Sequence, residues 1–141
     1  MALRSTTACA LAVVVVGLFL SCFAEPVQLV GGWHQQSEIG DERYNKLAHF
    51  AIAKQVEGRE FFDTLLEITA VETQLVAGTN YRITFKTTES TCRVTETYTK
   101  ESCQPKTQEA KDTCTAVIYE VPWLNQTSLT SFTCGTKGSS S

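Results

Sequence analysis

The chain has 141 residues, with 12 basic and 15 acidic side chains, a formal net charge of −3 and a hydrophobic content of 43%. That length suits one domain. The mild acidity gives no electrostatic case for nucleic acid or for an anionic membrane surface, both of which call for clustered positive charge.

Residues 1–24 read apart from the domain. Arg4 supplies a basic start, Ala10 to Leu20 form an apolar run, and Cys22-Phe23-Ala24 places small residues at positions −3 and −1 of a cleavage site. This is the pattern of a secretory signal peptide, too short in its apolar part to span a bilayer. Cleavage after Ala24 is expected, leaving a secreted, extracellular chain that starts at Glu25. Cys9 and Cys22 leave with the signal, so four cysteines remain.

Glu25 to Trp33 is an extended opening segment. Pro26 disfavours helix, and Gly31-Gly32 makes a flexible joint directly after the apolar pair Leu29-Val30. Such a terminus either frays, as most do, or serves as an apolar arm that docks elsewhere. A helix signal follows. Asp41 is the N-cap, Tyr44, Leu47, Ala48, Ala51, Ile52 and Val56 keep helical spacing, and Gly58 is the expected stop. The spacing predicts about four or five turns with a single stripe to bury. His49 sits at the edge of that stripe as a structural residue.

Two runs of alternating apolar and polar residues come next, Glu60 to Val71 and Thr79 to Cys92, with Leu66, Ile68 and Ala70 sharing one parity in the first and Tyr81, Ile83 and Phe85 in the second. They predict antiparallel strands joined by a hairpin whose connection is Gln74-Leu75-Val76-Ala77-Gly78. Hairpin tips are normally polar, yet this one carries Leu75 and Val76 near its crown. Either a turn at Ala77 to Asn80 folds them back into the core, or they await a partner.

Arg93 to Tyr98 is read as a continuation of the second strand, and Thr99 to Asp112, polar and holding Pro105, as an irregular surface excursion. Cys114 to Val121 resumes alternation, with Val117, Tyr119 and Val121 on one parity. Pro122-Trp123 breaks it, and Ser128 to Cys134 forms a short last strand holding Phe132. Residues 135–141 are Gly/Ser-rich and expected to be disordered. The sum is a single α+β domain over residues 25–134, an antiparallel sheet of four to five strands wrapped around one long helix.

Cys92, Cys103, Cys114 and Cys134 all lie in the C-terminal half, an even count that in a small secreted domain implies disulfides. Of three possible connectivities the sequential one, Cys92–Cys103 and Cys114–Cys134, is favoured; each loop is worth about 3 kcal/mol. No cysteine pair has zinc-site spacing, so neither metal nor cofactor is expected. With every thiol paired there is no free thiol nucleophile, and the two histidines have no evident acid or base partner, which argues against an enzyme. Strands that run up and down put alternate connections at one end of a sheet. The Gln74–Gly78 and Pro122–Trp123 connections, and the Leu29-Val30 arm, would then form one narrow apolar wedge with Trp123 as an anchor.

These residues carry a resemblance. The chain resembles the secreted type 2 cystatins, inhibitors of papain-like cysteine proteases, and the wording around Val71 to Tyr81 is similar to the secreted cystatins of ticks. That family combines a glycine after an apolar arm, a Gln-x-Val-x-Gly loop and a Pro-Trp loop. Here they are Leu29-Val30-Gly31, Gln74-Leu75-Val76-Ala77-Gly78 and Pro122-Trp123, and the four cysteines match the family's sequential bridges. The resemblance implies a monomeric, reversible, tight-binding competitive inhibitor of cathepsin L, S, C or B type enzymes. Both loops would enter the primed side of the cleft, and Leu29 and Val30 would fill non-primed pockets. Gly31 would turn the chain away before a carbonyl reaches the thiolate. The family's legumain site needs an asparagine after the helix; Val56 to Phe61 holds none, so legumain inhibition is not expected. Asn125-Gln126-Thr127 is a sequon for N-glycosylation.

Overall fold

A computed structural model describes residues 31–136; the predicted signal segment, Leu29, Val30 and residues 137–141 lie outside it. The elements run β1 (His34–Gln35), α1 (Glu42–Ala53), β2 (Phe61–Val76), β3 (Gly78–Arg93), β4 (Asp112–Val121), a 3-10 turn (Pro122–Leu124) and β5 (Gln126–Thr136). The strands form one sheet in that same order, every neighbouring pair antiparallel, and α1 lies across β2, β3 and β4. The α+β architecture is the expected one, with five strands. Cys92 is bonded to Cys103 and Cys114 to Cys134, as the sequential pairing predicts.

Asp41 caps α1, its carboxylate accepting the Arg43 amide hydrogen at 2.8 Å. The stripe Leu47, Ala48, Ala51 and Ile52 is buried against Val71, Tyr81, Ile83, Phe85, Ala116 and Ile118 of the sheet. The helix is shorter than predicted. It ends at Ala53, about three turns long, and Gly58 lies in a later turn. Ile52 is the last stripe residue buried in the core; Val56, one turn on, is 41% exposed. Continuing the helix would bury nothing more.

The predicted parity in β2 is corrected as well. Leu66, Ile68 and Ala70 do not share the core face. Register shifts at Leu65/Glu67 and Ile68/Ala70 each insert one extra residue on β2, so Leu65, Ile68 and Val71 stand opposite Thr87, Phe85 and Ile83. A spacing of three thus faces a spacing of two, because each bulge flips the strand by one residue. In β4 the inward set is Cys114, Ala116 and Ile118, not the parity of Val117 and Tyr119, and Val121 is buried at the strand's end.

β3 stops at Arg93. A turn follows, with the Val94 amide bonded back to the Glu60 carbonyl and the Arg93 amide to the Glu96 carboxylate, so of the predicted continuation Arg93 to Tyr98 only Arg93 belongs to the strand. The excursion then retraces β3 from outside. The Thr91 amide donates to the Gln104 carbonyl, Lys106 to Glu89, and Lys111 to Thr87. Phe62, Cys92 and Cys103 make a second small core beneath it, edged by Tyr98. β5 begins at Gln126 and runs through Gly135 and Thr136, beyond the predicted end at Cys134.

Candidate functional site: an apolar ridge at one end of the sheet

The β2–β3 hairpin closes so tightly that Val76 pairs with Gly78, leaving Ala77 alone at the crown. Gly78 has φ +109°, and a Cβ there would stand 2.7 Å from the Glu120 carbonyl and about as close to the Tyr119 ring. Only glycine lets the crown press onto the end of β4. Its neighbours point away from the core. Leu75 is 71% exposed and Val76 40%. The alternative in which they fold inward is therefore excluded.

β4 hands over to the second turn where Pro122 starts a 3-10 turn and Asn125, at φ 49°, ends it in the left-handed region, its amide donating to the Pro122 carbonyl. Proline fixes the first dihedral of such a turn, and asparagine tolerates the last. Val121 then pairs with Gln126. The turn presents Trp123, 68% exposed, and Leu124, 64% exposed. Leu124 was missed in the sequence. Its signal was a second apolar residue directly after Pro122-Trp123.

The two turns are joined. Thr79 pairs with Glu120, and the Tyr119 hydroxyl donates to the Ala77 carbonyl. The third segment meets them at Gly31, φ +104°, whose carbonyl accepts from the Gln74 side-chain amide. β1, which the sequence did not signal, secures that approach. The Gln36 amide donates to the Val71 carbonyl at 2.8 Å, and Trp33 lies under the Arg82 guanidinium, 4.2 Å from its ring centroid. Arg82 in turn donates to Glu72 at 2.5 Å, and this bond holds the Glu72 carboxyl below its ordinary range.

Gly31, Gln74 to Gly78 and Pro122-Trp123 are thus brought to one end of the sheet; Leu29 and Val30 fall outside the described residues. The ridge itself, Leu75 to Ala77 and Pro122 to Leu124, holds no ionisable group. Asn125 is exposed beside it. The four cysteines are bonded in pairs, and His49 is engaged with Tyr98. Among the described residues no group of three or more His, Cys, Asp or Glu side chains is placed to hold a metal, and no helix is long and apolar enough to cross a membrane. Such a surface can exclude water from a matching groove, and it offers no group for bond chemistry.

Comparison with known proteins gives one answer. Residues 31–123 match the Cystatin domain family. The chain is 50% identical to Mialostatin of Ixodes ricinus over 109 residues, which is 75% of this chain and 76% of that protein. It is 46% identical to Cystatin-2 of Ornithodoros moubata over 112 residues, 79% and 87% of the two chains. The crystal structure of a salivary cystatin from the soft tick Ornithodoros moubata superposes with a TM-score of 0.72 at 49% identity, covering 74% of this chain and 97% of that one.

Proposed function

This chain belongs to the cystatin family, with the tick cystatins among its relatives, and on that premise we propose that it is a reversible, tight-binding, competitive inhibitor of papain-like cysteine proteases of the cathepsin class. Cystatins inhibit cysteine proteases and are not enzymes. The finer reading is a plug. Leu75, Val76, Ala77 and Gly78 of the first turn and Pro122 and Trp123 of the second enter the primed side of the cleft, with Leu124 beside them. Leu29 and Val30 fill non-primed pockets, and Gly31 carries the chain past the catalytic thiol.

The observation that supports this most is the coupling of the two apolar turns through Tyr119, Ala77 and Gly78. A surface already held in shape loses little conformational freedom on binding, so more of the contact energy appears as affinity. An exposed Trp at its centre has the character of a binding hot spot. No charged group stands on the ridge, so insertion desolvates mainly apolar surface.

Export of the chain from Glu25 onward, after removal of residues 1–24, accords with the salivary naming of a relative. We further propose that it acts as a monomer and that Asn125 is an accessible N-glycosylation acceptor. The test is titration of active-site-titrated cathepsin L, S, C and B type enzymes and papain with the folded protein at several substrate concentrations. Competitive inhibition with one-to-one stoichiometry supports the plug; no inhibition across the panel would leave a cystatin-fold protein with another binding role.

A further inference from the structure

Asn80, which is not itself part of the proposed protease-binding surface, stands at the middle of a row behind the ridge. In the antiparallel register it lies directly opposite Gln74 on β2 and directly opposite Tyr119 on β4. Side chains so paired share a face of the sheet. Tyr81, the next residue, is buried on the helix side, so this row lies on the other face. Each end of the row ties down a different segment. Gln74 holds the Gly31 carbonyl, and Tyr119 holds the Ala77 carbonyl.

The chemistry at Gln74 is directional. An amide side chain has one acceptor oxygen and one donor nitrogen. The Asn80 Nδ2 donates to the Gln74 Oε1 at 2.9 Å, which turns the Gln74 Nε2 toward Gly31. Without that donor the amide is held from one side only, by the Gly31 carbonyl that accepts from it, and the bond that fixes Gly31 loses its support. Gly31 is the residue most in need of fixing, since as a glycine at φ +104° it has little local preference for any one conformation.

We infer that Asn80 is a positioning residue that acts through Gln74 to orient Gly31, and with it the direction in which the preceding arm leaves the ridge. Gln74 then contributes less as a contact to the protease than as the latch of the arm. This inference rests on the inhibitory reading only for its kinetic consequence; the latch itself is a property of the free protein.

The experiment uses Asn80→Asp, an isosteric change whose carboxylate accepts and cannot donate. Facing it, Gln74 would present its nitrogen to position 80 and its oxygen to the Gly31 carbonyl, setting two acceptors against each other. Dissociation from a papain-like protease is measured for the chain from Glu25 onward, with and without Asn80→Asp, and again after deletion of Glu25 to Val30. The substitution should raise the dissociation rate about tenfold in the full chain, the scale of one hydrogen bond, and less than about twofold once the arm is gone. Equal factors in both backgrounds would overturn the inference, because Asn80 would then act on the hairpin rather than on the arm.

A second readout needs no protease. Backbone amide relaxation should show Gly31 and Gly32 losing order in Asn80→Asp while Ile83 and Phe85 stay unchanged; unchanged order at Gly31 overturns the latch even if the parent protein inhibits nothing. Gln74→Glu, which still accepts from Asn80 but cannot donate to Gly31, should reproduce both effects and guards against a folding defect peculiar to position 80.

Discussion

The hydroxyl of Tyr119, near the end of the fourth strand, donates to the carbonyl of Ala77 at the crown of the hairpin formed by the two strands before it. Two turns far apart in sequence are thereby held as one ridge. Tyr119→Phe keeps the ring packed beside Gly78 and removes only this bond. Inhibition of papain-like proteases should weaken by up to about tenfold, with the change in the dissociation rate, while the melting temperature stays nearly constant.

Gly78 is required on two counts, its φ of +109° and the Glu120 carbonyl 2.7 Å from where a Cβ would stand. Gly78→Ala should cost about 2 kcal/mol or more in unfolding free energy, since the left-handed strain and the clash act together. Urea unfolding followed by circular dichroism gives the number. A loss below about 0.5 kcal/mol, the range of an ordinary surface change, would mean that the crown is not pressed onto β4.

Trp123 and Leu124 separate affinity from stability. Both are about two-thirds exposed on the 3-10 turn, so the fold loses little when either is truncated. Trp123→Ala should weaken inhibition by about 2 kcal/mol or more and Leu124→Ala by about 1 kcal/mol, each with an unfolding midpoint close to that of the parent. Parent-like inhibition by Leu124→Ala would remove it from the contact surface.

Much of this site is legible in the sequence because turns and cysteines are local signals. Apolar residues at Leu75, Val76 and Trp123 stand out where polar ones are the rule, and an even count of four cysteines admits only three pairings. What escaped depends on partners distant in the chain. The bulges that turn Leu65, Ile68 and Val71 onto one face answer to the register of β3, and no alternation within β2 reveals them. The helix stops at Ala53, and Val56, at the next helical position of the stripe, stands exposed, an outcome set by packing that a helical period cannot encode. Nor does Asn80 announce itself, since its role is set by Gln74 and Tyr119 across two strand pairings.

His49 gives a pH prediction. Its Nδ1 lies 2.5 Å from the Tyr98 hydroxyl, which in turn is 3.1 Å from the Thr64 hydroxyl, so α1, β2 and the segment after β3 meet there. Burial, reinforced by the nearby Lys100 ammonium, holds the imidazole below its ordinary value of 6.5, with Glu101 and Glu42 opposing the shift. The unfolded chain therefore takes up this proton more readily than the folded one. The stabilisation is present in full above the ordinary histidine value and is lost as pH falls from there through the lower folded value. Melting temperatures from pH 8 to pH 5 should fall more steeply for the parent than for His49→Gln, the carboxylates contributing alike to both. Parallel curves would contradict the role given to His49.

The most direct measurement of the central claim is calorimetric titration of the protein into a papain-like protease whose catalytic cysteine has been replaced by alanine, paired with mass analysis of the chain recovered from the active enzyme. A plug that fills the cleft without bond chemistry should bind one to one, compete with a peptide occupying the cleft, and be recovered uncleaved. Absence of binding to the alanine enzyme alongside inhibition of the active one, or recovery of a cleaved or covalently attached chain, would contradict the account.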